Sequence, residues 1–261
     1  MAADKTNISK GDGPRGTICL VPSVLTTISL FSGFYAIISA INGLFFYAAV
    51  ALIISAVFDG LDGRVARMTG TTSLFGKEYD SLCDLVAFGV APAIIAYLWT
   101  LVNYGRYGWL AAFLYVATTA LRLARFNVQD TSSNKDFTGL PCPAAAGMIA
   151  TTILFCGFFG ISAKTMGIPV LILVYGLSYL MVSAVPYQSF KSTEATKPRR
   201  FQVLVTTVLL IMVIATQPEV TLFIMGVIYI FSGPFVALYR LVGKKSTNNK
   251  AEETGKTVFP Q

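Results

Sequence analysis

Apolar residues along the chain fall into long blocks, roughly 18–41, 44–67, 81–101, 108–128, 143–162, 167–186, 201–217 and 219–242, separated by short polar segments. Each block approaches the ~20 residues a helix needs to cross the hydrocarbon core of a bilayer. Gly and Pro interrupt several of them, as membrane helices tolerate. Gly157, Gly160 and Lys164 mark the turn between the fifth and sixth. The pattern predicts an all-α polytopic membrane protein with about eight transmembrane helices over 18–242. Residues 1–17 read as a polar tail with Lys5, Lys10 and Arg15 and no apolar signal-peptide core. Residues 243–261 read as a polar, disordered tail.

Composition agrees with the pattern. Of the 261 residues, 54% are hydrophobic and 13% charged, against roughly 25% charged in a soluble domain. The net charge of +7 would suggest nucleic acid in a soluble protein, but here its placement matters more. With the N-terminus inside, all of the 20 lysines and arginines except Arg106 and Lys164 fall on one face. That asymmetry obeys the positive-inside rule, implies an even number of spans and puts both termini in the cytoplasm. Lys191, Lys197, Arg199 and Arg200 are read as topology and headgroup charges, and no nucleic-acid partner is expected. No internal repeat supports an inverted-repeat transporter. The 4 cysteines (Cys19, Cys83, Cys142, Cys156) lack CxxC spacing, which argues against a disulfide framework or zinc site. Histidine is absent, so imidazole nucleophiles, imidazole metal ligands and phosphohistidine intermediates are excluded.

The chemistry concentrates in AVFDGLDGRVARMTGTTSLFGKEYDSLCDLVAFGVAP. Asp59 and Asp62, three apart, share one face at the end of the second helix. Gly63 and Ala66 leave a groove beside them, and Arg67 adds a fixed cation. The next helix, beginning near Gly76 after a loop of about eight residues, carries Asp80 and Asp84 four apart, with Gly76 one turn back on the same stripe. A hairpin of these helices can bring four carboxylates together. Near a bilayer interior each costs about 2.5–3.5 kcal/mol on insertion scales, and all four repel one another. Two divalent cations remove both problems. Mg²⁺ or Mn²⁺ accepts hard oxygen ligands and leaves positions for a substrate diphosphate.

The spacing D-x2-D-G-x2-A-R-x8-G-x3-D-x3-D resembles the signature of the CDP-alcohol phosphotransferases without a departure. The flanking FDGLDGRVAR, GKEYDSLCDLVAFGVAPA, ALRLARFN and GLPCPAAAG are similar to the integral-membrane branch that uses serine as acceptor. The resemblance covers roughly 18–190. It implies a six-helix catalytic core, usually dimeric, with a site open to the cytoplasm, in a bacterial cytoplasmic membrane. It makes Asp59, Asp62 and Asp80 metal ligands and Asp84 the general base and a further ligand. It places Gly63, Ala66, Arg67 and Gly76 around the CDP group. The implied reaction transfers the phosphatidyl group of CDP-diacylglycerol to L-serine and releases CMP. Ser23 and Ser29 stand where many relatives have asparagine, and Cys142 where they have serine.

Thr26, one turn past Pro22, is a candidate for the cytidine pocket or for helix packing. Arg122 and Arg125 with Asn127 are candidates for binding a phosphate or the serine carboxylate; the bland reading is headgroup anchoring by snorkelling. Cys83 lies off the Asp80–Asp84 stripe and reads as packing. Pro141 and Pro143 are expected to set the entry to the fifth helix. Two other functions compete: the same transfer to glycerol 3-phosphate, inositol phosphate or choline, and divalent-cation transport through an acidic pathway. Against transport, the aspartates cluster at one face and no polar residues continue them through the apolar core.

Overall fold

The computed structural model describes residues 15–70, 73–128, 139–183, 185, 212 and 216–235, with side chains from Pro22 onward. Every regular element among them is helical: α1 (Arg15–Ile41), α2 (Phe45–Thr69), α3 (Leu74–Asp84), a π turn (Leu85–Val90), α4 (Ala91–Trp99), a 3₁₀ turn (Leu101–Tyr104), α5 (Gly105–Val128), α6 (Cys142–Phe158), α7 (Gly167–Val182) and α8 (Pro218–Phe235). Pro22–Ile41, α2, the continuous rod Leu74–Trp99 and α8 are long and apolar enough to cross a membrane, and α6 and α7 are shorter apolar helices. The chain is thus an all-α, membrane-associated protein with several long apolar helices. The block 201–217, the loop carrying Lys191, Lys197, Arg199 and Arg200, Lys135 and both tails lie, but for residues 212, 216 and 217 and for residues 15–17, which are helical and open α1, outside the described residues.

The hairpin carrying the aspartates is tighter than its sequence suggests. Only residues 70–73 separate α2 from α3, against a loop of about eight expected. Gly70, at φ 63, ends α2 in the left-handed conformation, where glycine carries no steric penalty. The Ser73 side chain then caps α3 by accepting a hydrogen bond from the Gly76 backbone N at 2.9 Å. The rod therefore begins seven residues before the apolar block 81–101. Lys77, Glu78 and Asp80 in its first turns hide the helix from a hydrophobicity window.

α1 and α2 run antiparallel on a seam of small residues. Ser29 Oγ and Ser55 Oγ lie 2.9 Å apart and each donates to the other residue's backbone carbonyl, at 3.0 and 2.9 Å. Ser32 Oγ donates to the Ala51 carbonyl at 2.7 Å. Ala36, Ala40, Ala48 and Ala49 continue the buried contact. In lipid the helices gain little from apolar burial against one another, so close backbone approach and interhelical hydrogen bonds hold such pairs. Other hydroxyls bond within their own helix: Thr118 to the Leu114 carbonyl, Thr152 to Met148 and Ser178 to Val174.

α6 is the buried centre, apolar on nearly every face from Cys142 to Cys156, the pattern of a helix enclosed by others. α8 docks on it through Phe223 stacked on Phe155, ring centroids 4.4 Å apart. The GLPCP segment fixes where α6 begins. Gly139 N donates to the Val185 carbonyl at 2.9 Å and Leu140 N to the Leu180 carbonyl at 3.0 Å, tying the segment to the end of α7. Gly139 has φ 92, and a Cβ there would sit 2.5 Å from the Met181 carbonyl oxygen. The Pro141 carbonyl accepts from Ala144 N and Ala145 N, and Pro143 occupies the first turn, as its fixed φ allows. The two prolines thus set the helix entry as expected.

The π turn follows Asp84 directly and packs Ala87 against Gly33 of α1. A Cβ on Gly33 would lie 2.8 Å from Ala87 Cα. Backbone cannot yield there as a side-chain tip can, so Gly33→Val should force α1 away from the π turn. The expected cost is about 1–3 kcal/mol, as for overpacked cores, read as a lower thermal midpoint in detergent. An unchanged midpoint would mean the two backbones are not in contact.

Candidate active site

Three helices meet at the aspartates. Asp59 and Asp62 come from the last turns of α2, Asp80 and Asp84 from α3, and α1 packs across both. One carboxylate oxygen each from Asp59, Asp62 and Asp80 lies within 4.8 Å of the others. Asp62 is 4% exposed, and Asp59, Asp80 and Asp84 are half-buried. Asp84 sits beside Asp59, within side-chain hydrogen-bonding reach. Two ionised carboxylates at 4.8 Å repel by roughly 3.5 kcal/mol at an effective dielectric near 20. Protonation of a carboxyl or a cation bound between them relieves that repulsion.

The donor set fits a divalent cation. All the converging atoms are hard carboxylate oxygens, the ligands Mg²⁺ and related ions take. Asp80 Oδ1 is buried with no hydrogen-bond partner among the described residues. Leaving a buried acceptor unsatisfied costs about 1–3 kcal/mol or more when it is charged, and a bound cation would satisfy it. Arg64 and Arg67 are both exposed, and Arg67 folds back over Gly63, whose ideal Cβ position lies 3.6 Å from Arg67 Nη1.

Beside the carboxylates opens a cleft of about 210 Å³. Thr26, Gly63, Ala66, Arg67 and Gly76, the residues singled out for a nucleotide pocket, all line it together with Asp62 and Asp80. So do Pro22, Ser23, Ser73 and Lys77. Lys77 is the residue that sequence reasoning missed, having been counted only as a topology charge. Its position next to Gly76 was the available signal. Thr26 is 5% exposed, and its hydroxyl lies 2.8 Å from Asp62 Oδ2 and 3.0 Å from the Pro22 carbonyl oxygen.

The three residues at the end of α5 part company. Arg122 is half-buried and its Nη1 donates to Cys142 Sγ at 3.5 Å, while its Nε is buried without a partner among the described residues. Asp84 lies within electrostatic reach of the same thiol. Arg125, one turn on, is exposed. Asn127 lies on the α3–α5 seam: its Nδ2 donates to Ser81 Oγ at 3.0 Å and Glu78 Oε2 at 3.3 Å, and its carbonyl accepts from Lys77 Nζ at 3.1 Å. Cys83 is 3% exposed.

A hairpin that joins four aspartates to a cleft of small residues and cations suits binding of a metal-complexed phosphate ester. The CDP-alcohol phosphatidyltransferase family matches residues 19–182, and the chain belongs to that family: it is a membrane-embedded enzyme of phosphatidyl-group transfer. Among curated proteins it is 40% identical over 182 residues to the CDP-diacylglycerol–serine O-phosphatidyltransferase of Helicobacter pylori strain 26695, covering 69% of this chain and 77% of that one. It is 34% identical over 194 residues to the enzyme of that name from Mycobacterium tuberculosis strain H37Rv, covering 72% and 68%. It is also 37% identical over 169 residues to the archaetidylserine synthase of Methanothermobacter thermautotrophicus, covering 64% and 69%.

Replacing Asp80 with Asn should abolish saturable Mn²⁺ binding, followed by electron paramagnetic resonance of the purified protein. Ala66→Leu should instead leave Mn²⁺ binding intact and raise KM for the CDP-lipid, because the added side chain enters the cleft without touching a carboxylate. Equal effects of the two on Mn²⁺ would dissociate the cleft from the proposed division of labour.

Proposed function

We propose that the chain transfers the phosphatidyl group of CDP-diacylglycerol to the hydroxyl of L-serine, yielding phosphatidylserine and CMP. The observation that carries the reading is the convergence of Asp59, Asp62 and Asp80 within 4.8 Å, with Asp62 and Asp80 on the cleft that Gly63, Ala66, Arg67 and Gly76 line. Serine as acceptor is supported by the names of the relatives, which cover most of the chain.

In this reading Asp59, Asp62, Asp80 and Asp84 hold two Mg²⁺ or Mn²⁺ ions. Bound there, the ions would neutralise the diphosphate and stabilise charge on the leaving CMP. The cleft takes the CDP group, its small residues admitting the sugar and phosphates close to backbone. Arg67 and Lys77, on different helices, supply fixed positive charge to the phosphate oxygens. The serine hydroxyl is a weak nucleophile at neutral pH, so a base must take its proton as the new bond forms. Asp84 has that role. The serine oxygen bonds to the phosphorus bearing diacylglycerol, the bond from that phosphorus to the CMP oxygen breaks, and the hydroxyl proton passes to Asp84. Arg122, half-buried beside Cys142 with its Nε–H unpartnered among the described residues, receives the serine carboxylate. Arg125 faces anionic headgroups, and Asn127 acts through the α3–α5 seam.

The same reading extends to topology. About eight spans, with a six-helix core ahead of α8, place both termini and the site on the cytoplasmic side of a bacterial membrane. A homodimer is the working assembly.

The acceptor is tested by supplying purified protein with CDP-diacylglycerol, Mn²⁺ and serine, glycerol 3-phosphate, inositol phosphate or choline in turn. CMP release with serine alone is expected; release with another acceptor and none with serine overturns the assignment. Asp84→Asn should lower kcat by about 10²–10⁴, the range of lost general-base catalysis, with CDP-lipid binding retained. Arg122→Gln should raise KM for serine and leave KM for the CDP-lipid unchanged.

A further inference from the structure

The seam between α1 and α2 carries hydroxyls at Thr26, Ser29 and Ser32. Ser29 and Ser32 bond to serine and backbone groups of α2, which holds helices together and nothing more. Thr26 differs in its partner. Its hydroxyl lies 2.8 Å from Asp62 Oδ2, in a buried contact between residues 36 apart in sequence. Asp62 is the most buried of the three converging aspartates. Only a hydroxyl donates in such a pair, since an ionised carboxylate has no proton to give.

A second acceptor lies within reach of Thr26. The same hydroxyl is 3.0 Å from the Pro22 carbonyl oxygen, one turn earlier in α1. A β-branched side chain has few χ1 states in a helix, and because the hydroxyl carries a single proton, the Pro22 carbonyl competes with Asp62 for it. At 5% exposure the side chain has no room to turn away. With its proton given to the nearer acceptor, Asp62 Oδ2 at 2.8 Å, the hydroxyl restrains the plane of the Asp62 carboxylate. A carboxylate in a metal site needs such a partner, because each ligand left to rotate must be ordered when the ion binds.

We propose that Thr26 is a positioning residue for the metal centre: its hydroxyl orients Asp62 as a ligand, so that α1, which contributes no carboxylate, sets the affinity for the divalent cation. The assignment rests on the metal-site reading above and adds a residue whose part in the nucleotide cleft is secondary. It also gives α1 a function that packing alone would not, because Ser29 on the next turn performs the packing without touching an aspartate.

The test uses full-length protein in detergent and Mn²⁺ as the probe, with binding followed by electron paramagnetic resonance in the absence of substrate. Thr26→Val keeps the shape and removes the donor. It should weaken Mn²⁺ binding about 10–100-fold, the usual cost of losing a partner of a metal ligand. Thr26→Ser restores the hydroxyl and should bind Mn²⁺ nearly as tightly as the wild type. Ser29→Ala, which loosens the same seam away from Asp62, should leave Mn²⁺ affinity unchanged while lowering the thermal midpoint. In turnover assays Thr26→Val should raise the Mn²⁺ concentration for half-maximal rate and leave KM for serine unchanged.

Wild-type affinity in Thr26→Val, or an equal loss in Ser29→Ala, overturns the assignment in favour of simple helix packing. Should Thr26→Val not fold, Thr26→Ala removes the donor without the second methyl and decides in its place. If neither folds while Thr26→Ser does, the hydroxyl holds the fold and the assignment is lost. A wild-type protein that takes up no Mn²⁺ sinks the metal site itself, an outcome distinct from all of these.

Discussion

Like charges held together in a poorly hydrated helical bundle dominate this protein. The carboxylates of Asp59, Asp62 and Asp80 converge within 4.8 Å, and no amount of apolar packing compensates their mutual repulsion. Protonation or a bound cation does so, and Asp80 Oδ1, buried and unpartnered among the described residues, marks where a cation could be received. Much of the surrounding structure follows from having to bring three helices close enough to form this cluster. Small residues permit it: Gly33 against Ala87, Ser29 against Ser55, and alanines along the rest of the α1–α2 seam.

The same economy of side chains shapes the substrate space. Gly63, Ala66 and Gly76 leave a cleft where larger residues would fill it, and the carboxylates lie along one side of that space. α2 and α3 are joined by residues 70–73, so the acidic pair on each helix is held by a short tether with a helix cap at one end and a left-handed glycine at the other. The π turn begins immediately after Asp84. Such turns recur at functional sites because they shift side chains out of α-helical register, and this one also carries the Ala87 contact that seats α1. The acidic cluster, the cleft and the α1 seam are consequently one mechanical unit.

On the other side of Asp84 the chemistry changes character. Arg122 is half-buried with one N–H unpartnered and another on the Cys142 thiol, and Tyr115, on the same helix, is fully buried with its hydroxyl unpartnered among the described residues. Both groups belong to α5, whose end meets the start of α6 through the Arg122–Cys142 contact.

The sequence by itself determined the all-α membrane character, the positions of most helices and the identity of the acidic cluster with its small-residue neighbours. Spacings of three and four residues fix which side chains share a helical face whatever the helix packs against, and block length against bilayer thickness fixes what can span. Within-helix relations were therefore legible from Asp59 and Asp62, from Asp80 and Asp84, and from Gly63, Ala66 and Arg67. Relations between helices were not. Arg122 and Arg125 look equivalent in ALRLARFN, yet one turns inward to Cys142 and the other stays exposed, because rotation of α5 about its axis is set by its neighbours. Asn127 reads as a binding residue until Ser81, Glu78 and Lys77 are seen to engage it. Lys77 reads as a surface charge until α3 turns it into the cleft. Thr26 and Asp62 are far apart in sequence and no local rule connects them. Only the antiparallel register of α1 on α2, fixed by which small residues let the two backbones touch, brings that hydroxyl to that carboxylate.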